Sequence, residues 1–285
     1  MRAAVLITLL LVASSPALGQ AEFARRLRVQ SSADMVVGGK TTKLKGKIEF
    51  DYRLRVVKSG SKRYVEVILD RHFTKVLADG TAKLHMELSR DRYREVSSDG
   101  KEDLLLYKDA PSQLQEALRA IFGTPLARYA IDAQGREQGL QILAKPAAKG
   151  YVETEFVHET LRFFHGPIVP GVTSWKAKRA IGIGSGNLLR GELTYTPRPE
   201  PKDGKILVDI TGRLTGSSKK GSVQIQKVLY EAKGGAAYDP QTKEWVRGKI
   251  KFAVSGEIRM GKEVGVLKGK VVYMLSSPKK GDSKR

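Results

Sequence analysis

Hydrophobic and polar residues alternate most strictly over residues 44–56. Leu44, Ile48, Phe50, Tyr52, Leu54 and Val56 share one parity, broken only by Gly46, while Lys45, Lys47, Glu49, Asp51, Arg53 and Arg55 fill the other. Successive side chains of an extended chain point to opposite sides, so the stretch predicts a β-strand with one dry and one wet face. At about 3.3 Å per residue it would run roughly 40 Å, well beyond an ordinary strand. Residues 246–260 repeat the pattern: Val246, Ile250, Phe252, Val254, Ile258 and Met260 alternate with mainly polar positions, and Gly248-Lys249-Ile250 with Phe252 echoes Gly46-Lys47-Ile48 with Phe50. Two similar β halves would produce this echo, and so would convergence of long half-exposed strands; both explanations stand at this level.

Other segments take their places around these two. Asp79-Gly80 is the strongest hairpin signal, set between strands over 63–78 and 81–96. Pairing about it places Leu77 opposite Ala82, Phe73 opposite Met86 and Leu69 opposite Arg90, with Arg71 and Lys75 interrupting the apolar face. Leu114, Leu118, Ile121 and Phe122 predict a helix over 112–122, ended by Gly123. Val152, Phe156, Val157, Leu161 and Phe164 predict a second over 151–164, stopped by Gly166-Pro167. A hairpin is expected over 125–132 and 137–143, and strands over 174–183, 188–196, 205–215, 223–233 and 264–275. The expected fold is mainly β, a β-rich α+β chain with about ten strands in a long antiparallel twisted sheet or open barrel wrapped around two helices. Residues 41–275 then form one β-rich domain, read either as a single body or as halves 41–145 and 167–275 joined by the helix at 151–164. Residues 20–40 are expected to be a poorly ordered lead and 276–285 a basic mobile tail.

Composition narrows the class. A hydrophobic fraction of 41% is too high for a disordered chain. Arg2, the apolar run 3–13 and the small residues ending in Ala17-Leu18-Gly19 make 1–19 a signal peptide, so a periplasmic or extracellular location is expected. The chain has no cysteine, which excludes disulfides and a lipidated-cysteine anchor. No second apolar run approaches membrane-spanning length, and the mature chain is expected to be soluble. Net charge is +21, and removal of the leader with its single Arg2 leaves +20. Such a field attracts polyanions, although export argues against nucleic acid as the partner. The candidate anion contacts are the rows Lys43, Lys45 and Lys47; Arg90, Arg92 and Arg94; and Lys249 and Lys251. A solvated face that blunts edge pairing explains the same rows.

Catalytic signals fail on inspection. Gly39-Lys40-Thr41 resembles the end of a phosphate-binding loop, but Asp34 stands where the first glycine belongs. His158-Glu159 begins a zinc-protease pattern that Arg162 breaks. Gly182–Gly186 lacks the spacing of a nucleophile elbow and is flanked by strands. His72, His85 and Glu87 share a face in the simple hairpin register and are a metal-site candidate without supporting residues. No catalytic, metal or cofactor-binding residue is assigned, no cofactor is expected, and the protein is expected not to be an enzyme. The apolar parity remains as a candidate ligand-facing wall: Ile48, Phe50, Tyr52, Leu54, Ile250, Phe252 and Val254. A lipid or other amphiphile held there is the first functional expectation. An envelope protein contacting acidic polymer or a protein partner through its basic faces is the alternative.

Three segments carry a resemblance: residues 117–123 (ALRAIFG), residues 129–135 (YAIDAQG) with Leu140, and residues 167–175 (PIVPGVTSW). They resemble a group of uncharacterised exported bacterial β-rich proteins of unknown function. The resemblance implies export and β structure and carries no activity or catalytic residues. At fold level alone, long strands around helices are similar to the periplasmic lipoprotein-carrier type of open barrel.

Overall fold

The computed structural model describes residues 22–59, 62–96, 101–131, 137–146, 149, 164, 172–182, 188–218, 223–242 and 244–278. The signal peptide expected at 1–19, the helix expected at 151–164 except Phe164, and residues 279–285 of the tail expected at 276–285 lie outside them.

Strong alternation gives strands of unusual length, paired into one antiparallel sheet. The first wing runs outward as β1 (Glu22–Val37), β2 (Lys40–Ser59), β3 (Lys62–Ala78), β4 (Thr81–Ser89), β5 (Arg92–Val96) and β6 (Glu102–Leu106). A 3₁₀ turn and helix α1 (Ser112–Ile121) follow, then β7 (Pro125–Ile131) and β8 (Glu137–Ile142), which attach to the near half of β3. The second wing runs inward as β9 (Trp175–Gly182), β10 (Leu188–Pro197), β11 (Ile206–Ser218), β12 (Val223–Asp239), β13 (Glu244–Met260) and β14 (Glu263–Ser276). β1 and β14 pair at the centre. The sheet thus has fourteen strands with one α-helix among the described residues, where about ten strands and two helices were expected. The strand expected over 81–96 breaks into β4 and β5 at a bend, the pair expected over 125–132 and 137–143 is present as β7 and β8, and β1 is an addition.

That addition corrects the expected lead at 20–40. Its inward parity is Phe23, Arg25, Leu27, Val29, Ser31, Ala33 and Met35. Arg25 and Ser31 spoil the apolar row, which hides the strand. The long twins β2 and β13 flank the central pair. Strand order runs away from the centre in one wing and toward it in the other, so β2 and β13 do not occupy equivalent places in a tandem duplication.

Inner-face residues of both wings form one core. Leu27, Phe50, Val65, Val67, Leu193, Ile210, Ile250, Phe252 and Tyr273 are all buried. Full burial of each such side chain contributes about 1.5–3 kcal/mol, and this is what holds a cysteine-free chain together. Leu118 and Ala120 of α1 and the following Phe122 pack on the same core, and Phe164 lies against Gly248. The sheet is curled. In a flat sheet β3 and β13 would stand about 19 Å apart, four strand spacings. Instead Arg63 of β3 donates to the Thr242 carbonyl just before β13 at 3.5 Å, and Arg25 of β1 donates to the Trp245 carbonyl of β13 at 3.0 Å.

Two β-bulges decide which side chains face inward. Register slips at Asp70 in β3, so Val65, Val67 and Leu69 point inward before it and His72 and Thr74 after it. A second slip at Lys83 in β4 keeps Leu77 opposite Ala82 but sets Thr74 opposite Met86 and His72 opposite Leu88. Arg71, Phe73 and Lys75 therefore face out, which resolves the apparent interruption of the apolar face. A bulge adds one residue to one strand, and every side chain beyond it changes face.

Candidate functional site

The same bulges separate the histidines. His72 is 4% exposed, stacks on Phe50 with ring centres 4.6 Å apart, and shares a 2.7 Å hydrogen bond between Nε2 and Thr74 Oγ1. His85 lies on the outer face, edge-on to Phe73 at 5.3 Å, and Glu87 bonds Arg71 there. The metal-site candidate is thus split between faces. No group of three or more His, Cys, Asp or Glu able to hold a metal occurs among the described residues.

The residues of the expected apolar wall lie in the interior. Phe50, Tyr52 and Leu54 are buried on β2, as are Ile250, Phe252 and Val254 on β13, and Ile48 is partly buried against the same cluster. At one end of this interior sits an ionisable group cluster. Glu244 is 5% exposed, and burial pushes its carboxyl up to about 7 against the pull of Arg25 and Arg63. Burial also drives the Tyr52 hydroxyl well above its ordinary value. Arg63 Nε, Thr242 Oγ1 and Glu244 Oε1 are buried without hydrogen-bond partners among the described residues.

Ion pairs occupy the outer face on both flanks of the sheet, in the second wing between Lys176 and Glu192, Arg213 and Glu231, and Lys227 and Glu257. Antiparallel register in β1–β4 places opposite charges side by side. Arg26 bonds Asp51, Arg28 bonds Glu49, Arg55 bonds Glu66, and Arg53 bridges Asp70 and Glu22. Arg71 joins Glu49, Asp51 and Glu87 at 3.7, 3.5 and 2.7 Å. Burial works to raise the Glu49 carboxyl, but hydrogen bonds from Arg28 and Lys47 outweigh it and hold it below the usual range. Lys47 is thereby committed to Glu49 at 3.1 Å and lies over the Phe73 ring. Arg90 falls in a bend rather than on a strand, exposed Arg92 begins β5, and Arg94 is half-buried on the same strand. The row expected at 90–94 is therefore not one face of one strand.

Around the central pair the balance changes. Lys43 and Lys45 of β2, Lys249 and Lys251 of β13, and Lys268 and Lys270 of β14 are exposed and make no ion pair among the described residues. Register aligns Lys45, Ser32 and Lys270 in one row across three strands, and Lys43, Asp34 and Lys268 in the next. Lys251 lies opposite Lys233 of β12. Beside this field opens a depression of ≈ 320 Å³ with a floor of small residues, Gly235, Ala237 and Gly248, and a rim that includes Arg198, Arg247 and Lys249. Arg198 is held there by Asp209. Lys268 and Lys270 escaped the sequence reading because glycines and valines break the alternation of β14. Their i, i+2 spacing, the same as Lys249 and Lys251, was the available signal.

No family model matches the chain, and no curated protein matches it in sequence. Among solved structures, one of lipovitellin concerned with lipid–protein interactions is 8% identical, covers 90% of this chain and 25% of its own, and has a TM-score of 0.48. The chain thus spans a quarter of the lipovitellin chain. The β domain of the Bordetella autotransporter Brka is 9% identical, with 89% and 99% coverage and a TM-score of 0.20. The translocator domain of the autotransporter NalP from Neisseria meningitidis is 10% identical, with 91% and 89% coverage and a TM-score of 0.23. At these TM-scores none of the likenesses bears on what the chain does. No helix among the described residues is long and apolar enough to cross a membrane.

Proposed function

We propose that the chain is an exported, non-enzymatic β protein of the cell envelope that engages an acidic envelope component through its outer face. The observation that carries this reading is the contrast between two charge sets on one sheet. Arg26, Arg28, Arg53, Arg55 and Arg71 of the first wing pair with cross-strand carboxylates, whereas the lysines around the central pair make no ion pair among the described residues. An unneutralised row at strand spacing raises the local potential over a strip, and polyanions collect on such a strip. The depression rimmed by Arg198, Arg247 and Lys249 gives one acidic group of the partner a seat against small residues. The test is binding to an acidic polysaccharide at increasing salt. Affinity falls steeply with ionic strength for the parent chain. The combined variant Lys249→Gln, Lys251→Gln, Lys268→Gln, Lys270→Gln loses most of it, with unchanged thermal unfolding. Retained binding in that variant refutes the reading.

An amphiphile held inside the curled sheet is the second reading, supported by the polar cluster at one end of the apolar interior. Arg63 Nε and Glu244 Oε1 are buried groups that a headgroup would satisfy. Its test is native mass spectrometry of protein from its own host, and a spectrum without any lipid adduct refutes it.

A further inference from the structure

Two hairpins end side by side at one end of the sheet. The β1–β2 hairpin turns at Gly38-Gly39 and the β13–β14 hairpin at Gly261-Lys262. They touch, since a side chain added at Gly38 would meet the Glu263 carboxylate at 2.9 Å. Among the described residues six large apolar side chains are exposed, and Val36, Met260, Val264 and Val266 all gather here. Val36 and Val266 are direct cross-strand partners on the outer face, and Val264 follows on the same face of β14. Exposed apolar residues are ordinarily scattered singly, so a stripe at a tip has a reason to be there. Cations surround it. Over residues 34–45 and 259–270 the chain carries seven, Lys40, Lys43, Lys45, Arg259, Lys262, Lys268 and Lys270, against the carboxylates Asp34 and Glu263. Arg259 lies opposite Val264, and Lys43 and Lys268 bracket Asp34 one row above Val36 and Val266.

We infer that this two-hairpin end docks on an anionic lipid surface, with the valine stripe entering the interface and the lysines resting on headgroups. The inference rests on the acidic-partner reading above and names the partner of that face. An acidic polymer would match the lysines and leave the valines in water. A lipid surface supplies anionic groups and, a few ångströms deeper, an apolar layer; Lys43 and Lys268 stand in that order, one row farther from the turns than Val36 and Val266, while Lys40 and Lys262 flank the valines at the turns. Valine reaches only a short way, so the contact is shallow, reversible and dependent on charge and apolar area together.

The test is co-sedimentation of the full mature chain with vesicles of phosphatidylcholine plus phosphatidylglycerol, and with phosphatidylcholine alone. The parent binds the anionic vesicles and leaves the neutral ones. Val264→Ser with Val266→Ser weakens binding about tenfold, as does Lys43→Gln with Lys268→Gln. The valine variant keeps its salt-sensitive affinity for acidic polysaccharide, which separates the tip from the rest of the face. Leu104→Ser, at an exposed apolar site on β6, has no effect. Because the chain has no cysteine, Val266→Cys carrying an environment-sensitive dye gives a second readout that needs no loss of function. Its emission shifts to the blue on anionic vesicles, and that of labelled Leu104→Cys does not. Polymer binding without vesicle binding, or vesicle binding unaffected by the valine changes, overturns the docking inference alone. Binding to neither overturns the acidic-partner reading as well.

Discussion

Replacing Glu244 by glutamine should expose a hidden pH dependence. Glu244 opens β13 inside the core, and burial raises its carboxyl from 4.5 to about 7 in the folded chain. Unfolding releases that proton between these values, so the folded state loses stability as pH rises through this window. At about 1.4 kcal/mol per pH unit the loss totals roughly 3 kcal/mol. His72 works in the opposite sense. Burial, with the charge of Arg71, lowers its imidazole from 6.5 to about 4. The unfolded chain takes up a proton below 6.5 that the folded chain refuses, so stability is lost as pH falls through this window, again by roughly 3 kcal/mol. Between pH 4.5 and 6.5 the two slopes nearly cancel. Glu244→Gln removes one of them. It should be more stable than the parent at pH 8 by up to about 3 kcal/mol, and its stability should climb from pH 4 to 6.5. His72→Asn should show the reverse slope, falling from pH 4.5 to 7. Urea unfolding at a series of pH values measures both, with Trp245 as the reporter beside the cluster. If Glu244→Gln is less stable than the parent at pH 8, or parallels it below pH 6.5, the buried-carboxylate argument is wrong.

Three further changes probe other parts of the sheet. Gly248→Ala puts a methyl within 2.1–2.8 Å of the Phe164 ring and should cost about 1–3 kcal/mol in urea unfolding. In the Phe164→Ala background that cost should largely disappear, because the clash partner is gone. Glu49→Gln leaves Arg28, Lys47 and Arg71 short of one carboxylate and should cost about 1–2 kcal/mol at pH 7, a figure reduced by the partial exposure of the arginines. Because the Glu49 carboxyl is held below its ordinary value, that stabilisation is present above pH 4.5 and is lost as pH falls through the lowered value, so parent and variant should converge on acidification. Gly80→Val has free space around it but must adopt φ +81°, so its cost of about 1–2 kcal/mol comes from the backbone alone and should appear as a lower thermal midpoint.

Alternation carried most of the fold. Strand β13 ends where its pattern ends, and Asp79-Gly80 turns with positive φ at both residues as its dipeptide demands. α1 stops beside Gly123 as expected. Periodicity is blind to a residue that breaks parity for a tertiary reason. Arg25 faces inward to reach the Trp245 carbonyl, and so β1 read as an irregular lead. Asp70 and Lys83 each add one residue to a strand, and no local pattern distinguishes a bulge from a polar interruption. For the candidate site, each lysine row was visible along its strand. Whether a row is neutralised depends on the register of the next strand, and for β1 and β14 that neighbour is more than two hundred residues away. Glu49 and Lys45 look alike in sequence as charges on one wet face. The first lies among three cations, and the second lies beside Ser32.

The central pairing of β1 with β14 also dictates when the molecule can finish folding. β1 emerges first from the ribosome and receives its second neighbour only when residues 265–276 have been made. Until then one long edge of the first wing is an open template for any extended chain, its own or another's. Closing a loop of such length is slow, and the slowness lengthens the exposure. An exported chain built this way would cross its membrane unfolded and complete the sheet afterwards. The inward Arg25, whose Nε finds the Trp245 carbonyl only once β13 is in place, makes the unfinished edge poor at self-association. Arg25→Leu should therefore fold more stickily, with lower refolding yield at high protein concentration, even where the finished protein is no less stable.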